Sequence, residues 1–348
     1  MRDLKVIAVL LGVLTLFAIG VVLRELQTVL LPFVIAVFLS LIFKPVVLVL
    51  TRRRVPMAVA LVVVVALIAG LLFGVSMIIT ASVESFIATL PRYQSRLDGL
   101  ITSLAGTAEA LITQLGYRPD DLRITDALSA SSITSVVSAS LGTILGLVSD
   151  AFMVLLFMIF ILAGSGQLSR KIEGAFQDEH ARSMASIIAK IDQKVRQYLV
   201  TKTLVSVGTG GLSALILWII GVDFPLLWGF ITFLFNYIPN FGSLLATLFP
   251  VILALVQFDT PTPALVALVL LVVMQNLMGN ILEPRLMAFS LNLSPVLVLV
   301  SLIFWGWLWG VVGMILAVPI MSMIKIVFEH IDALKPVAAL MSSGDVRA

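Results

Sequence analysis

The chain has 348 residues, of which 60% are hydrophobic and only 12% are charged, so it cannot be a soluble globular domain, where roughly 25% of the residues are charged. This composition predicts an all-α polytopic integral membrane protein. The net charge of +3 comes from basic residues in short loops, which indicates membrane topology rather than nucleic-acid binding, and the absence of cysteine excludes disulfides and cysteine-based metal sites.

Residues 1–80 are predicted to form an N-terminal scaffold of three transmembrane helices. A polar turn and a run of three arginines separate the three apolar segments, which cover about 4–23, 28–50 and 55–80. No small-residue cleavage signature follows the first segment, so we expect a retained span rather than a signal peptide.

A polar stretch follows at 81–145, and its first half carries a heptad-like apolar pattern. Apolar side chains recur from Phe86 to Leu115 in steps that are mostly alternate fours and threes. The pattern predicts an amphipathic helix that either lies on the membrane or on its own protein, or forms an oligomer contact. Four Lys/Arg against six Asp/Glu favour the extracytoplasmic side for this stretch.

Residues 146–163 predict a fourth transmembrane helix, and residues 164–202 predict a cytoplasmic helical arm. The arm holds seven Lys/Arg against four Asp/Glu. Three of its basic residues are interpreted as a solvated surface that faces lipid headgroups: Lys190, Lys194 and Arg196. Together with the basic residues near the N-terminus and in the tail 331–348, this charge pattern places both termini in the cytoplasm.

The C-terminal region 203–330 contains two apolar segments of one plan, Pro225–Phe258 and Pro295–Phe328. Each opens with proline, is interrupted mid-way and carries a second proline further on. A straight span needs ~20 apolar residues, so each segment is too long for one span and too short for two. We favour broken or re-entrant helices with irregular backbone at Tyr237–Gly242 and Trp307–Gly313 over two long kinked helices.

The charge pattern permits two topologies for these segments. If each crosses the bilayer once, the chain has eight spans; if each returns to its own side, it has six spans and two hairpins. In the second case the hairpins enter from opposite sides and form an inverted repeat, an arrangement common in secondary transporters, whose substrate sites lie at broken helices.

Polar and glycine residues inside the apolar segments are the candidate substrate-binding residues. Catalytic signatures and nucleotide-binding loops are absent from the sequence, so we expect no enzyme activity, no cofactor and no bound metal. Amide side chains and freed carbonyls at the first break suit a polar solute or a cation, and Asn240 is also expected to cap the returning helix. The candidates are Asn236, Tyr237, Pro239, Asn240, Gly242, Gln275, Asn276, Asn280, Glu283, Gly310 and Gly313.

Three of these candidates follow a helical spacing. Asn276, Asn280 and Glu283 lie at i, i+4 and i+7 and are expected to share one face that lines a cavity, with interhelical hydrogen bonding as the alternative. Arg285 is a possible surface partner for Glu283. If the broken segments are hairpins, we expect their tips to meet near the bilayer midplane, so that the amides of both clusters line one site.

Four motifs carry a family resemblance: NYIPNFG at 236–242, QN at 275–276 with NILEPRLM at 280–287, LSP at 293–295, and GVVGMILAVP at 310–319. With the order of spans and polar loops, they resemble the AI-2E family of bacterial membrane transporters over nearly the whole chain. The resemblance implies a homo-oligomer in the bacterial cytoplasmic membrane, with a scaffold part and a moving part.

The resemblance also implies an activity, namely export of a small polar solute such as the furanosyl quorum signal autoinducer-2. Some members are similar to sodium/proton antiporters, so a coupling cation or proton is a further expected partner. A membrane scaffold that transports nothing is the remaining alternative. Such a scaffold would not need polar side chains within its membrane segments, so these residues favour transport.

Overall fold

The computed structural model describes residues 2–114, 151–175, 179–286 and 291–343, and within these ranges it is helical with no strand. The helices are α1 (Arg2–Glu25), α2 (Gln27–Arg52), α3 (Met57–Gln114), α4 (Ala151–Ala175), α5 (Glu179–Ile220), α6 (Pro225–Phe235), α7 (Phe241–Gln257), α8 (Thr262–Asn276), a π-helix (Leu277–Leu282), α9 (Glu283–Leu286), α10 (Pro295–Glu329), a 3₁₀ turn (Asp332–Leu334) and α11 (Lys335–Leu340).

Five of the described helical stretches are long and apolar enough to cross a membrane, and shorter apolar helices accompany them. The five are Gln27–Arg52, Met57–Thr89, Ile187–Ile220, Thr262–Leu286 and Pro295–Glu329. Large apolar side chains such as Val62, Phe73 and Phe160 point outward and are 67–70% exposed, as a lipid-facing surface requires. The predicted all-α polytopic membrane protein is confirmed.

Two helices continue through boundaries at which the sequence predicted separate elements. The 58-residue α3 joins the third span to the amphipathic stretch, and the 42-residue α5 joins the arm to the fifth span. The chain has no Gly or Pro between Glu179 and Val207, so nothing local ends α5 there. The predicted arm 164–202 falls partly in α4 and partly in α5. The start of the predicted fourth span, 146–150, lies outside the described residues.

Both broken segments fold back on themselves. A Cβ atom built on Gly242 would lie 1.7 Å from the carbonyl oxygen of Phe235, and one built on Gly313 would lie 1.9 Å from that of Trp305. In a straight helix, residues seven or eight apart are separated by ~10–12 Å along the axis. The chain therefore reverses within each pair, and only glycine fits where the returning helix meets the preceding carbonyl.

We call 225–257 the first hairpin, with its tip at 236–240, and α10 the second hairpin, with its tip at Trp309–Gly310. Gly310 has φ 63° and ψ −146°, a conformation that glycine adopts most readily. At the second hairpin the irregular backbone is thus limited to Trp309–Gly310, which is narrower than the predicted range Trp307–Gly313. Asn240 has φ 62° and makes no side-chain cap hydrogen bond, so the expectation that it caps α7 is wrong. Asparagine adopts positive φ more readily than most residues, which suits it to this turn.

A hydrogen-bonded clasp joins the two ends of each hairpin. At the first, the Gln257 amide donates to the carbonyl of Gly221 (2.7 Å) and accepts from the backbone N–H of Asp223 (2.8 Å). At the second, Lys325 Nζ donates to the carbonyl of Asn292 (2.6 Å). Each segment therefore begins and ends at one end of the bundle, which selects hairpins over kinked crossings.

The two hairpins enter the bundle from opposite ends because α5 and α8–α9 run antiparallel. Gly208 of α5 lies against Met278, while Lys202, earlier in α5, contacts Glu283, later in the partner helix. The first hairpin follows the C-terminal end of α5, and the second follows the C-terminal end of α8–α9. Helix plus hairpin is thus repeated once in inverted orientation, as the hairpin topology predicted.

The tail is more ordered than the polar sequence after His330 suggests. The backbone N–H of Ser294 donates to the carbonyl of Met341 (2.9 Å), and the side chain of Ser343 donates to the side chain of Asn292 (2.6 Å). Lys325, which donates to the carbonyl of Asn292, is only 3% exposed and lies at the same base of the hairpin. The described part of the tail therefore closes the base of the second hairpin.

The extension of α3 beyond the membrane packs on the base of the first hairpin. Tyr93 donates to Asp223 Oδ2 (2.5 Å), and the ring of Phe86 lies 6.1 Å from that of Phe224. Burial, followed by this hydrogen bond, raises the pKa of Tyr93 to about 12. At these two positions the heptad-like seam contacts its own protein. The later seam positions, from Leu97, lie outside the described side chains, so an oligomer contact there stays a prediction.

Candidate functional site

The polar residues of the first tip attach to one stretch of α5. Asn236 Nδ2 donates to Ser206 Oγ (2.9 Å), and the hydroxyls of Tyr237 and Thr203 are 2.7 Å apart. Ser206 is fully buried. Two polar side chains of the tip thus take their hydrogen-bond partners from α5.

A buried ion pair lies beside these contacts. Lys202 Nζ is 2.5 Å from Glu283 Oε1, and the two side chains are 6% and 19% exposed. Arg285 is exposed, and the expectation that it pairs with Glu283 is wrong. Sequence reasoning missed Lys202 because it placed this residue at the end of a polar arm. The signal that could have found it is the unbroken helix-forming sequence around it, which carries the lysine into the apolar region.

Tyr198 connects the ion pair to the first tip. It is buried in the same cluster as Ile238 of the first tip, and it lies one helical turn before Lys202. Tyr198, Lys202 and Ser206 are spaced four residues apart and share one face of α5. We call these three, together with Thr203, the α5 polar row.

The turn before Glu283 explains why the second predicted cluster divides. Residues Leu277–Leu282 form a π-helix, a form that appears mostly as single turns at functional sites. Its wider turn rotates Glu283 towards α5, so the face that Glu283 was expected to share with Asn276 and Asn280 is not formed. Asn276 and Asn280 are exposed, and Asn280 donates to Asn276 Oδ1 (3.0 Å).

The two asparagines lie apart from the α5 polar row. They line an open groove on the outer face of α8 with Val272, Val273, Leu277 and Ile281. Gln275 is half-buried. Of the predicted residues, the structure therefore brings Asn236, Tyr237 and Glu283 together on α5, and it leaves Asn240, Asn276 and Asn280 exposed.

The second tip shares a core with the first. Ile238 from the first tip belongs to the same buried cluster as Trp305 and Trp309, whose rings are 5.0 Å apart. Tyr198 and Leu199 of α5 lie in this cluster too. The two tips share one core, as expected, but the expectation that the amides of both clusters line one site is wrong, because Asn276 and Asn280 lie in the outer groove.

The remaining predicted residues shape the tips. Gly242 and Gly313 permit the close approach of two helix ends, and Gly310 supplies a positive φ. The carbonyl of Pro239 accepts from the backbone N–H of Phe241 (2.7 Å). These four residues therefore determine where the polar side chains stand. Among the described residues, no group of three or more His, Cys, Asp or Glu could hold a metal ion.

Two opposed hairpins that meet at a buried polar row are the arrangement expected at a transporter's substrate site. A family model described as AI-2E family transporter matches residues 7–333. The chain belongs to the AI-2E transporter family.

Curated relatives of this AI-2E transporter match over most of their lengths. The chain is 32% identical to the AI-2 transport protein TqsA of Escherichia coli (strain K12) over 345 residues, which are 98% of this chain and 96% of that protein. It is 30% identical to a putative transport protein of Borreliella burgdorferi, covering 90% of this chain and 85% of that protein. The putative transport protein YhhT of Escherichia coli (strain K12) is also 30% identical, with coverage of 89% and 87%.

The family and its relatives are described as transport proteins, and the described helices are apolar enough to span a membrane. The chain is therefore a multi-pass membrane transport protein and not an enzyme, as the sequence predicted.

Proposed function

We propose that this AI-2E transporter is a secondary transporter that exports a small polar solute by alternating access. The observation that carries the proposal is the pair of inverted hairpins whose tips share one core against the α5 polar row. Secondary transporters bind substrate at such broken helices, where backbone and side-chain groups replace the solute's water. The proposed ligand groups are Asn236, Tyr237 and Glu283, which lie against α5, and Pro239, Gly242, Gly310 and Gly313 shape the two tips.

The chemistry of the site suits a small hydroxylated or carbonyl-bearing solute. Amides and hydroxyls exchange hydrogen bonds with such a solute without leaving a buried charge unpaired. The buried tryptophans of the second tip supply apolar surface on the other side. A relative of this chain is named an AI-2 transport protein. We therefore propose autoinducer-2 as the solute to test first.

The proposed moving part is the inverted repeat, and the proposed support is the N-terminal half. Helices α2, α3 and α4 share a buried core of their own that contains Ala36, Val64 and Met158. The two hairpins have their principal buried contacts in other clusters. The two parts meet where Phe38 of α2 joins the cluster of the second hairpin and Tyr93 of α3 joins that of the first, and alternating access requires these contacts to shift. The family resemblance supports a homo-oligomer built on the support.

A pair of hydroxyl deletions tests the site. Tyr237→Phe removes the hydroxyl that meets Thr203 at the tip. Thr232→Val removes the hydroxyl that donates to Ser213 Oγ (3.2 Å), a contact between the same helices away from the tip. We expect Tyr237→Phe to lower autoinducer-2 efflux per folded molecule about fivefold or more, the effect of one hydrogen bond used in transport.

Efflux is measured from proteoliposomes loaded with autoinducer-2, and folding is measured by thermal unfolding in detergent. Thr232→Val should lose stability while its efflux per folded molecule equals that of the wild type. Equal losses of efflux in the two variants would show that the tip is not part of the transport site. No efflux in the wild type would reject autoinducer-2 as the solute.

A further inference from the structure

The indole of Trp305 carries a buried hydrogen-bond donor that no protein group accepts. The side chain is 7% exposed, and its Nε1 atom is the one buried side-chain nitrogen or oxygen without a partner in the described part of the chain. The large majority of buried side-chain polar atoms in native proteins are paired, and an unpaired one lowers stability. The penalty is largest within a membrane segment such as Pro295–Glu329, so a donor retained there indicates a use.

The other tryptophans show how an indole N–H is satisfied elsewhere in this protein. Trp228 donates to the carbonyl of Asp223 (3.1 Å), and Trp309 donates to the carbonyl of Leu23 (3.4 Å). The remaining two tryptophans besides Trp305 are more than half exposed. Trp305 therefore differs from all four, because its side chain is buried and its N–H has no acceptor in the protein.

Trp305 lies where the two tips meet. It shares a buried cluster with Ile238 of the first tip, with Trp309 of the second tip and with Tyr198 of the α5 polar row. The returning helix of the second hairpin holds it in place, because Gly313 packs directly on its carbonyl oxygen. Its N–H is thus a single polar atom at a fixed position in the otherwise apolar surroundings of the second tip.

We propose that the indole N–H of Trp305 is a substrate-binding group, which donates a hydrogen bond to an oxygen atom of the transported solute when the solute lies between the tips. The inference rests on the proposed transport function, whose ligand groups come from the first tip and from α9. It gives the second hairpin a direct hydrogen bond to the solute.

This contact would set a chemical requirement on the solute. An indole N–H can only donate, so the solute must present an acceptor to it. A carbonyl, ether or hydroxyl oxygen meets this requirement, and an ammonium group does not. The side chains of Asn236 and Tyr237 can each both donate and accept, so they place fewer limits on the solute. Trp305 would therefore favour hydroxylated or carbonyl-bearing solutes over amines.

The unpaired donor also favours solute binding. A donor that faces water must give up a hydrogen bond before it meets a ligand, and the exchange leaves a small net gain. The N–H of Trp305 is already buried without a partner, so folding has removed it from water before the solute arrives. The new hydrogen bond is then opposed by little desolvation, and the group is held ready in advance.

Replacing the N–H by sulfur tests this contact. Benzothienylalanine, introduced at position 305 by stop-codon suppression, keeps the shape of the tryptophan side chain but cannot donate. We expect the apparent KM for autoinducer-2 efflux from proteoliposomes to rise about fivefold or more, because a hydrogen bond to the solute is lost. The melting temperature in detergent without solute should equal that of the wild type or exceed it, since no hydrogen bond within the protein is removed.

The same replacement at position 228 is the matched control. It removes the hydrogen bond to the carbonyl of Asp223, which lies at the base of the first hairpin, away from the tips. Its melting temperature should fall by about 2 °C while its KM stays at the wild-type value. A fall of the same size at position 305 would show that this N–H already has a partner without solute, and would overturn the proposal. An unchanged KM at position 305 in a protein that exports autoinducer-2 would also overturn it.

A measurement on the wild type separates this proposal from the choice of solute. In the NMR spectrum of the protein with isotope-labelled tryptophan, the indole N–H signal of Trp305 is identified by its absence from Trp305→Phe. Autoinducer-2, ribose or glycerol should move this proton signal downfield, and that of Trp228 should stay in place, because only Trp305 gains an acceptor. A shift with none of the three overturns the proposal. A shift with ribose or glycerol, without efflux of autoinducer-2, supports the role of Trp305 and rejects only the proposed solute.

Discussion

The first hairpin turns through the non-helical residues 236–240, whereas the second turns at Trp309 and Gly310 alone. The first tip carries two polar side chains, Asn236 and Tyr237, which bind Ser206 and Thr203 of α5. The second tip carries tryptophans, and the rings of Trp305 and Trp309 pack together beside it. The two repeats share one plan but differ at their tips: the first tip offers hydrogen bonds, and the second offers an apolar surface.

The largest loss of stability is expected at the glycines where the returning helix of each hairpin meets a preceding carbonyl oxygen. Gly242→Ala and Gly313→Ala each place a Cβ within 2 Å of a backbone carbonyl oxygen, at 1.7 and 1.9 Å, which cannot be relieved by a side-chain rotation. We expect each to destabilise the protein by about 3 kcal/mol or more. Unfolding in detergent measures the loss.

Gly310→Ala is the matched control for this prediction, because a Cβ there meets nothing within 4 Å. Its cost comes from the backbone conformation alone, with φ 63° and ψ −146°, and should be about 1–3 kcal/mol. If Gly310→Ala were as damaging as Gly313→Ala, backbone conformation rather than close approach would hold the second hairpin.

A smaller loss of stability is expected when either clasp is removed, and the loss should differ between the two clasps. Gln257→Ala removes both hydrogen bonds at the base of the first hairpin and should cost about 1–2 kcal/mol. Lys325→Met removes one charge-assisted bond but also spares the burial of an ammonium, so its net cost should be about 1 kcal/mol or less.

Thermal unfolding of these two variants beside Gln257→Glu sharpens the comparison. Glutamate keeps the acceptor for Asp223 and loses the donor to Gly221, so its stability should lie between the wild type and Gln257→Ala. A larger loss for Lys325→Met than for Gln257→Ala would show that the second clasp is the stronger one.

The smallest effect is expected for the hydrogen bond from Tyr93 to Asp223 at the base of the first hairpin. The pKa of Tyr93 is raised by burial and by its hydrogen bond to Asp223, to about 12. The stability that this raised pKa contributes is therefore fully present below about pH 10 and is lost as the pH rises through about 12. Tyr93→Phe should lower stability by ~1 kcal/mol below pH 10.

Unfolding measured from pH 8 to pH 12 checks this prediction. The difference between the wild type and Tyr93→Phe should shrink above pH 10 and then reverse, because only the wild type has a phenol to ionise. A constant difference across the range would contradict the contact between Tyr93 and Asp223.

The hairpins were predictable from the sequence because their signals are local. Asparagine, proline and glycine interrupt the first apolar segment close to where the structure turns, and glycine alone interrupts the second there. The two Gly positions at the returning helices were among the predicted residues. The choice between hairpin and kinked crossing needed the clasps, which join residues more than 30 positions apart.

The site was less predictable because its contacts are distant in sequence. Lys202 and Glu283 are 81 residues apart, and no local pattern pairs them. Helical spacing assigned Glu283 to the face of Asn276 and Asn280, and the π-helix between them invalidated that spacing. Patterns of period 3.6 fail wherever the helix itself changes its pitch.

The continuity of α5 connects its N-terminal end mechanically to the meeting point of the two tips. From Glu179 to Ser206 the helix spans ~40 Å without a glycine or proline to bend it. A rigid rod passes rotation and axial displacement along its length. A lipid headgroup or another protein that shifts the region around Lys190 would therefore shift Lys202, Thr203 and Ser206 by a similar amount. The N-terminal part of α5 thus transmits a displacement at its outer end to the meeting point of the two tips.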